Sequence, residues 1–287
     1  MSRRIFLDQA TRRLHEAGIE EARKEARSLI EAVAGISIAH QLAFPDVLLS
    51  VDQLVMLGDA LAMREARVPL SQIVGEASFY NLTFKVTKDT LTPRPESELL
   101  VDMAIEYAQA LSSICLLDVF TGTGAIGISV ARCLSDIGKD VVLVMTDNSQ
   151  HAIDVARQNA RRLISTVDWT LERTDIWPST CRPYDVITAN PPYIATDEIA
   201  TLMPEVKRFE PLSALDGGKD GLSFYRRLAR EAGRFLSDDG VLIIEIGASQ
   251  EEDVLSLFLN DRAWREHGRK NDLAGYTRLL SFHKVTE

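Results

Sequence analysis

Read for apolar and polar positions, the chain changes period after about residue 70. Before that point, Ile5, Ala10, Leu14 and Ala17 fall near helical spacing, and Gly18 can end the helix they predict. Glu20 to Ala34 puts Ala22, Ala26, Leu29, Ile30 and Val33 on one face and closes at Gly35. Ser37 to Leu42 predicts a short turn of helix. Ser50 or Asp52 can cap a further helix through Leu54, Leu57, Leu61 and Ala66. Amphipathic helices of this length must bury their stripes against one another, so residues 1–70 predict a small all-α bundle. Composition does not separate a structural appendage from a partner-recognition module.

Residues 71–95 read as a β-hairpin linker. Ser78 to Val86 alternates around β-prone residues, with Asn81 placed at the turn. Pro93 and Pro95 then hold Arg94 extended, and Pro95 or Glu96 opens a helix reaching about Leu111. Arg94 either ties the linker to the following domain by an ion pair or stands at the mouth of a site. From Ser113 onward, strand and helix patterns alternate, which predicts an α/β domain over residues 96–287. Its strands are placed at 114–119, 141–145, 169–172, 184–189 and 240–247, with a terminal pair around Asp272–Arg278.

Charge narrows the function classes. A formal net charge of −10 in 287 residues counts against a general nucleic-acid binder, which needs a basic face. The pairs Arg161-Arg162 and Lys207-Arg208 read as solvated faces. Cys115, Cys133 and Cys181 lack metal-ligand spacing and read as reduced, buried thiols, and no metal is expected. The amino terminus carries no apolar signal core, and no stretch approaches membrane-spanning length, so a cytoplasmic location is expected.

Candidate chemistry collects at strand ends. The first α/β strand runs into Phe120-Thr121-Gly122-Thr123-Gly124, a glycine-rich turn that lets backbone N–H groups approach a ligand. The second ends at Asp147, placed to accept hydrogen bonds from ribose hydroxyls. The third is followed by Asp175-Ile176-Trp177, where Trp177 is either a stacking surface for an adenine ring or plain core. The fourth ends in Asn190-Pro191-Pro192-Tyr193, where two prolines stop the strand and leave a rigid loop. An amide nitrogen is a poor nucleophile because its lone pair is delocalised. A site that alkylates one must hold the NH2 group by its hydrogens, and the Asn190 side-chain oxygen and the Pro191 carbonyl are acceptors suited to that. Tyr193 can cover the planar group.

In this order, the four features resemble class I S-adenosylmethionine-dependent methyltransferases acting on nitrogen. That resemblance implies a Rossmann-like seven-stranded mixed sheet. Along nearly its whole length the chain further resembles the HemK-type glutamine methyltransferases of peptide-chain release factors. The resemblance is carried by Pro69 to Gly75, Leu91-Thr92-Pro93-Arg94-Pro95-Glu96-Ser97-Glu98, Asn190 to Tyr193, Arg208 to Leu215 and Gly217 to Leu222. It implies methylation of the side-chain nitrogen of the glutamine in a Gly-Gly-Gln loop, with the helical domain docking the protein partner. By position, Phe120, Thr121, Gly122, Thr123, Gly124, Asp147, Trp177 and Asn190 would contact S-adenosylmethionine, and Asn190 to Tyr193 the glutamine. Arg94 and Glu210 are candidates for shaping the substrate pocket, although Glu210 could equally cap a helix or pair with Arg208. The family usually has glycine at the position of Phe120. Three alternatives stand beside this reading: a different protein substrate such as a ribosomal protein, an adenine-N6 nucleic-acid methyltransferase, and a non-catalytic binding module.

Overall fold

The computed structural model describes residues 1–260 and 262–285. By internal contacts they form two compact units, one of Met1–Glu76 with Met203–Phe209 and one of Ala77–Leu202 with the chain from Glu210 onward. In the first unit the helical periodicity becomes helices Arg3–Glu16, Ala22–Ala34, Ile38–Ala43, Val51–Glu65 and Leu70–Val74. Ser50 caps the fourth through a full capping box with Gln53, satisfying two otherwise unpaired backbone donors. Gly35 and Gly75 end two others in left-handed conformation. Phe6, Leu7, Leu14, Leu29, Ile30, Leu57 and Leu61 form the core. Ile5, expected on the buried face, is half exposed. Phe6 and Leu7 carry that face instead, because the helix is rotated to suit the Ala10–Leu14 stripe. Residues 71–74, expected within the β-hairpin linker, form a short helix with Leu70.

An ion network lies among these helices. The Arg64 side chain, 6% exposed, donates through Nε to Glu25 at 2.5 Å and through Nη1 to Glu205 at 3.0 Å. Arg67 donates to Glu205 at 2.7 Å. Burial alone would raise the Glu205 pKa, but the donors from Arg67 and Arg64 outweigh it and hold the carboxylate below its usual range.

The second unit begins with a hairpin of β1 (Glu76–Phe79) and β2 (Leu82–Lys85). Tyr80 and Asn81 both have positive φ, the paired left-handed geometry of a two-residue turn that follows strand twist. The seven-stranded sheet comprises β3 (Ser113–Val119), β4 (Asp140–Asp147), β5 (Asp168–Arg173), β6 (Tyr184–Ala189), β7 (Leu236–Glu245), β8 (Trp264–Asn271) and β9 (Thr277–Lys284), in the order β5-β4-β3-β6-β7-β9-β8. The pairs from β5 through β7 are parallel, and β9 runs antiparallel to both β7 and β8. This is the α/β domain that the strand and helix alternation predicts, with the seven-stranded mixed sheet that the resemblance implies.

Consecutive strand residues serve opposite faces. Leu116, Leu143, Val186 and Ile243 pack beneath helices Glu98–Ala108 and Ala125–Asp136, whereas Leu117, Ile187, Leu242 and Ile244 pack with Tyr225, Leu228 and Phe258 on the other side. Burial on both faces is why these strands read as continuous apolar runs. All three cysteines are free, but only partly as expected: Cys115 and Cys133 are half-buried and Cys181 is exposed. Among the described residues no helix is long and apolar enough to cross a membrane.

Replacing Arg64 by Met leaves Glu25 and Glu205 short of a cation in a poorly solvated place. We expect a loss of about 2–3 kcal/mol in urea denaturation. Arg64→Lys should recover only part of it, because an ammonium cannot span both carboxylates.

Candidate active site

Strand register sets the site. Val119 pairs with Thr146 on one side and with Ala189 on the other, so Phe120, Asp147 and Asn190 leave the sheet side by side. The chain proceeds outward from β3 to β4 and β5, then returns to place β6 on the opposite side of β3. Crevices in open α/β sheets form at this reversal of strand order. A cleft of about 630 Å³ opens there, lined by Phe120, Gly122, Asp147, Asp175, Ile176, Asn190 and Pro192, with the segment Asp89–Leu91 and Phe224 closing it in. A second chamber of about 400 Å³ shares Leu91, Phe120, Gly122 and Asn190 and adds Arg94, Ser97, Thr121 and Thr123.

Each wall has a local cause. Gly122 has φ +55, a conformation that costs a side chain, and its N–H donates to the Asp147 carboxylate at 2.9 Å. Asp147 also accepts from Ser149 N–H at 2.9 Å. Burial raises the Asp147 pKa, and these backbone donors oppose the rise. Asp118, fully buried at the end of β3, accepts from the Thr121 hydroxyl at 2.5 Å, the Thr188 hydroxyl at 2.7 Å and Gly127 N–H at 3.2 Å. It thereby ties the glycine-rich turn to the helix after it and to β6. Burial pushes its pKa up to about 6 despite those donors. Asn159 bonds the Thr123 carbonyl at 2.9 Å and both backbone groups of Lys85, stitching the turn to the hairpin.

Phe120 adopts φ +59, the left-handed conformation in which glycine is the unstrained residue. Its ring packs edge-on against Phe224 at 5.2 Å. An aromatic wall common to both chambers thus stands where a glycine would leave space.

The loop after β6 is clamped. A Cβ on Gly221 would lie 2.4 Å from the Tyr193 carbonyl oxygen, and one on Gly217 2.8 Å from Tyr193 Cα, so only glycines allow this approach. Gln250 donates to the Tyr193 carbonyl at 2.9 Å. Asn190 donates from Nδ2 to Ser97 Oγ at 3.2 Å, and Ser97 Oγ donates to Glu245 Oε2 at 2.5 Å. Glu245 is 1% exposed, and burial raises its pKa against these donors and the nearby Arg278.

The structure therefore brings Phe120, Thr121, Gly122, Thr123, Asp147, Asn190, Pro192 and Arg94 to the two chambers. Other expected residues stand behind the walls. Tyr193 is half-buried near Glu245 and Arg278, and Trp177 stacks on Phe235 at 4.7 Å while its Nε1 donates to Glu231. Asp175 and Ile176 occupy the cleft face beside Trp177. Gly124 and Pro191 are not among the lining residues. Glu210 is buried and pairs with Arg94 at 2.5 Å, a partner the sequence did not suggest for it, in place of the helix cap or Arg208 pair expected. Ser97, Asp118, Asn159, Glu245 and Gln250 were not singled out by sequence reasoning. A carboxylate inside an apolar strand, in Leu116-Leu117-Asp118-Val119 and Ile243-Ile244-Glu245-Ile246, was the signal available for two of them. Among the described residues no cluster of three or more side chains could hold a metal.

The family models "PrmC N-terminal domain" and "Methyltransferase small domain" match residues 6–75 and 96–206. A release factor glutamine methyltransferase of Agrobacterium fabrum is 34% identical, over 96% of this chain and 95% of its own. One of Cereibacter sphaeroides is 41% identical, over 88% of this chain and 87% of its own. Among solved structures, the catalytic domain of hMettl16 in complex with the MAT2A 3'UTR hairpin 6 has a TM-score of 0.57 at 12% identity, covering 80% of this chain and 83% of that one. At that identity it shows the fold alone.

The raised pKa of Asp118 has a consequence for stability. Between pH about 4 and 6 the folded state keeps the proton that the unfolded chain has lost, so this group's contribution to stability falls as pH rises through that window. Relative to Asp118→Asn, the wild type should lose about 2–3 kcal/mol between those limits in urea titrations.

Proposed function

We propose that this chain, which belongs to the release factor glutamine methyltransferase family, transfers a methyl group from S-adenosylmethionine to the side-chain nitrogen of the glutamine in the Gly-Gly-Gln loop of a release factor. The observation that carries the reading is the anchoring of Asn190. With Nδ2 engaged by Ser97 and held against Glu245, the amide has one orientation, and its Oδ1 is the group left for the cleft. An acceptor fixed in that way takes a hydrogen from a substrate NH2 and cannot itself offer one.

The cleft fits the methyl donor. Asp147 keeps acceptor capacity for ribose hydroxyls beyond its backbone donors, and the turn Thr121–Thr123 supplies close backbone approach. Asp175 and Ile176, with the Phe120 ring opposite, flank a base, whereas Trp177 supports them from behind. When bound there, S-adenosylmethionine supplies an electrophilic methyl on a sulfonium.

The chain's own residues then orient the acceptor. Asn190 Oδ1 holds the glutamine NH2 by one of its hydrogens, which turns the nitrogen lone pair toward the methyl. The rigidity of Pro191-Pro192 and the glycine clamp at Tyr193 keep that geometry without reorganisation. No strong base is required, because the methylated amide sheds its extra proton readily. The Arg94–Glu210 pair borders the second chamber, where a peptide loop would enter.

The test is transfer of labelled methyl to purified release factor, with a Gly-Gly-Gln to Gly-Gly-Ala control. Label should appear on the intact motif alone. Asn190→Ala should lower kcat by about a hundredfold or more with cofactor affinity nearly kept, in line with loss of one preorganised acceptor. Near-normal turnover by that variant would remove Asn190 from the mechanism.

A further inference from the structure

The helical unit holds another pocket, an open hollow of about 530 Å³, whose walls carry four arginines in a chain of net charge −10. Arg3 and Arg4 come from the first turn of helix Arg3–Glu16, the end at which the helix dipole disfavours cations. Arg23 and Arg27 stand one turn apart on helix Ala22–Ala34, a like-charge spacing that weakens a helix. Helix stability therefore does not account for this cluster.

Two of the four are already neutralised, Arg4 by Asp46 at 2.5 Å and Arg23 by Asp8 at 3.1 Å. The other two are not. Arg3 is 9% exposed; its Nη1 donates to His40 Nδ1 and to the Phe44 carbonyl, both at 3.3 Å, while its buried Nε N–H has no partner. Among the described residues the Arg27 guanidinium has no ion pair. Gln41 lines the same pocket and is buried. Its Nε2 donates to the carbonyls of Arg27 and Ile36, and its Oε1 is buried without a partner. A buried donor and a buried acceptor left unpaired at one pocket are each costly, and one ligand carrying complementary groups would relieve both.

We propose that this pocket receives an Asp or Glu side chain presented by the protein substrate. The carboxylate would accept from Arg3 Nε and from Arg27. A backbone N–H of the same peptide segment would donate to Gln41 Oε1. Leu7, Leu42 and Pro45 form the apolar wall against which the methylene stem would lie. A nucleic-acid backbone fits less well, since phosphodiesters bring acceptors but no N–H, and they require a run of cations that Asp8 and Asp46 here cancel. The proposal rests on the reading of a protein substrate.

The test compares methyl transfer to full-length release factor by the wild type, Arg27→Glu and Arg27→Lys, with cofactor affinity and the thermal midpoint measured beside it. Arg27→Glu should raise KM for the release factor roughly tenfold with kcat and cofactor affinity unchanged, while Arg27→Lys stays close to the wild type. If the Glu variant does not fold, Arg27→Gln carries the same test with a smaller rise. An unchanged KM overturns the pocket assignment while leaving the function intact. So does a variant whose KM is unchanged but which has lost binding to single-stranded RNA, which would assign the pocket to nucleic acid. Absence of transfer by the wild type would overturn the function, and this proposal with it.

Discussion

The site depends on a buried carboxylate. Glu245 lies in the strand next to the one that carries Asn190, shielded from water, and holds Ser97, which in turn receives the Asn190 amide. Removing a carboxylate from water costs several kcal/mol unless hydrogen bonds offset it, so an apolar residue would stabilise this strand more simply. What the carboxylate provides is direction. An asparagine at a strand end has two nearly isosteric faces, and only an acceptor behind it decides which face meets the cleft. Asp118 repeats the arrangement on the other side of β6, fixing the glycine-rich turn through Thr121, Gly127 and Thr188. The two chambers are therefore shaped from beneath, by acids inside the sheet, more than by the loops that line them.

The surrounding chain serves to keep those loops still. Prolines at 191 and 192 limit the backbone, glycines at 217 and 221 admit the Tyr193 backbone at distances no other residue allows, and Gln250 closes the contact. On the other side Asn159 binds the turn to the hairpin. A transfer reaction whose nucleophile is weak and needs no strong base gains most from such fixed geometry, because orientation is the chief contribution the protein can make. Phe120 fits the same picture. Its left-handed backbone costs about 1–2 kcal/mol relative to glycine, and in exchange an aromatic ring braced by Phe224 divides the cleft.

Much of this was legible in the sequence because it is written in short-range chemistry. Proline stops, glycine turns, caps and apolar periodicity placed strand 184–189 to the residue, the hairpin turn at Asn81, and three strand ends that converge. Trp177 shows where such reading ends. An aromatic after a strand is placed by which side of the chain turns inward, and here the positive φ of Ile176 sends Asp175 and Ile176 to the cleft and Trp177 onto Phe235. The sequence offered Glu210 only neighbours such as Arg208 for a similar reason, since its partner Arg94 lies 116 residues away along the chain. Ser97 and Glu245, 148 residues apart, meet only through the fold, although a lone acid in an apolar strand announced that something must satisfy it.

On the proposed function, Glu245 orients Asn190 ahead of substrate binding. The single-turnover rate of methyl transfer in Glu245→Gln, measured at saturating cofactor and release factor, tests this. The expected rate is lowered at least about tenfold, with cofactor affinity and thermal midpoint close to the wild type and with Ser97→Ala showing a similar pattern. A rate equal to the wild type, or a loss explained wholly by weaker cofactor binding, would contradict it.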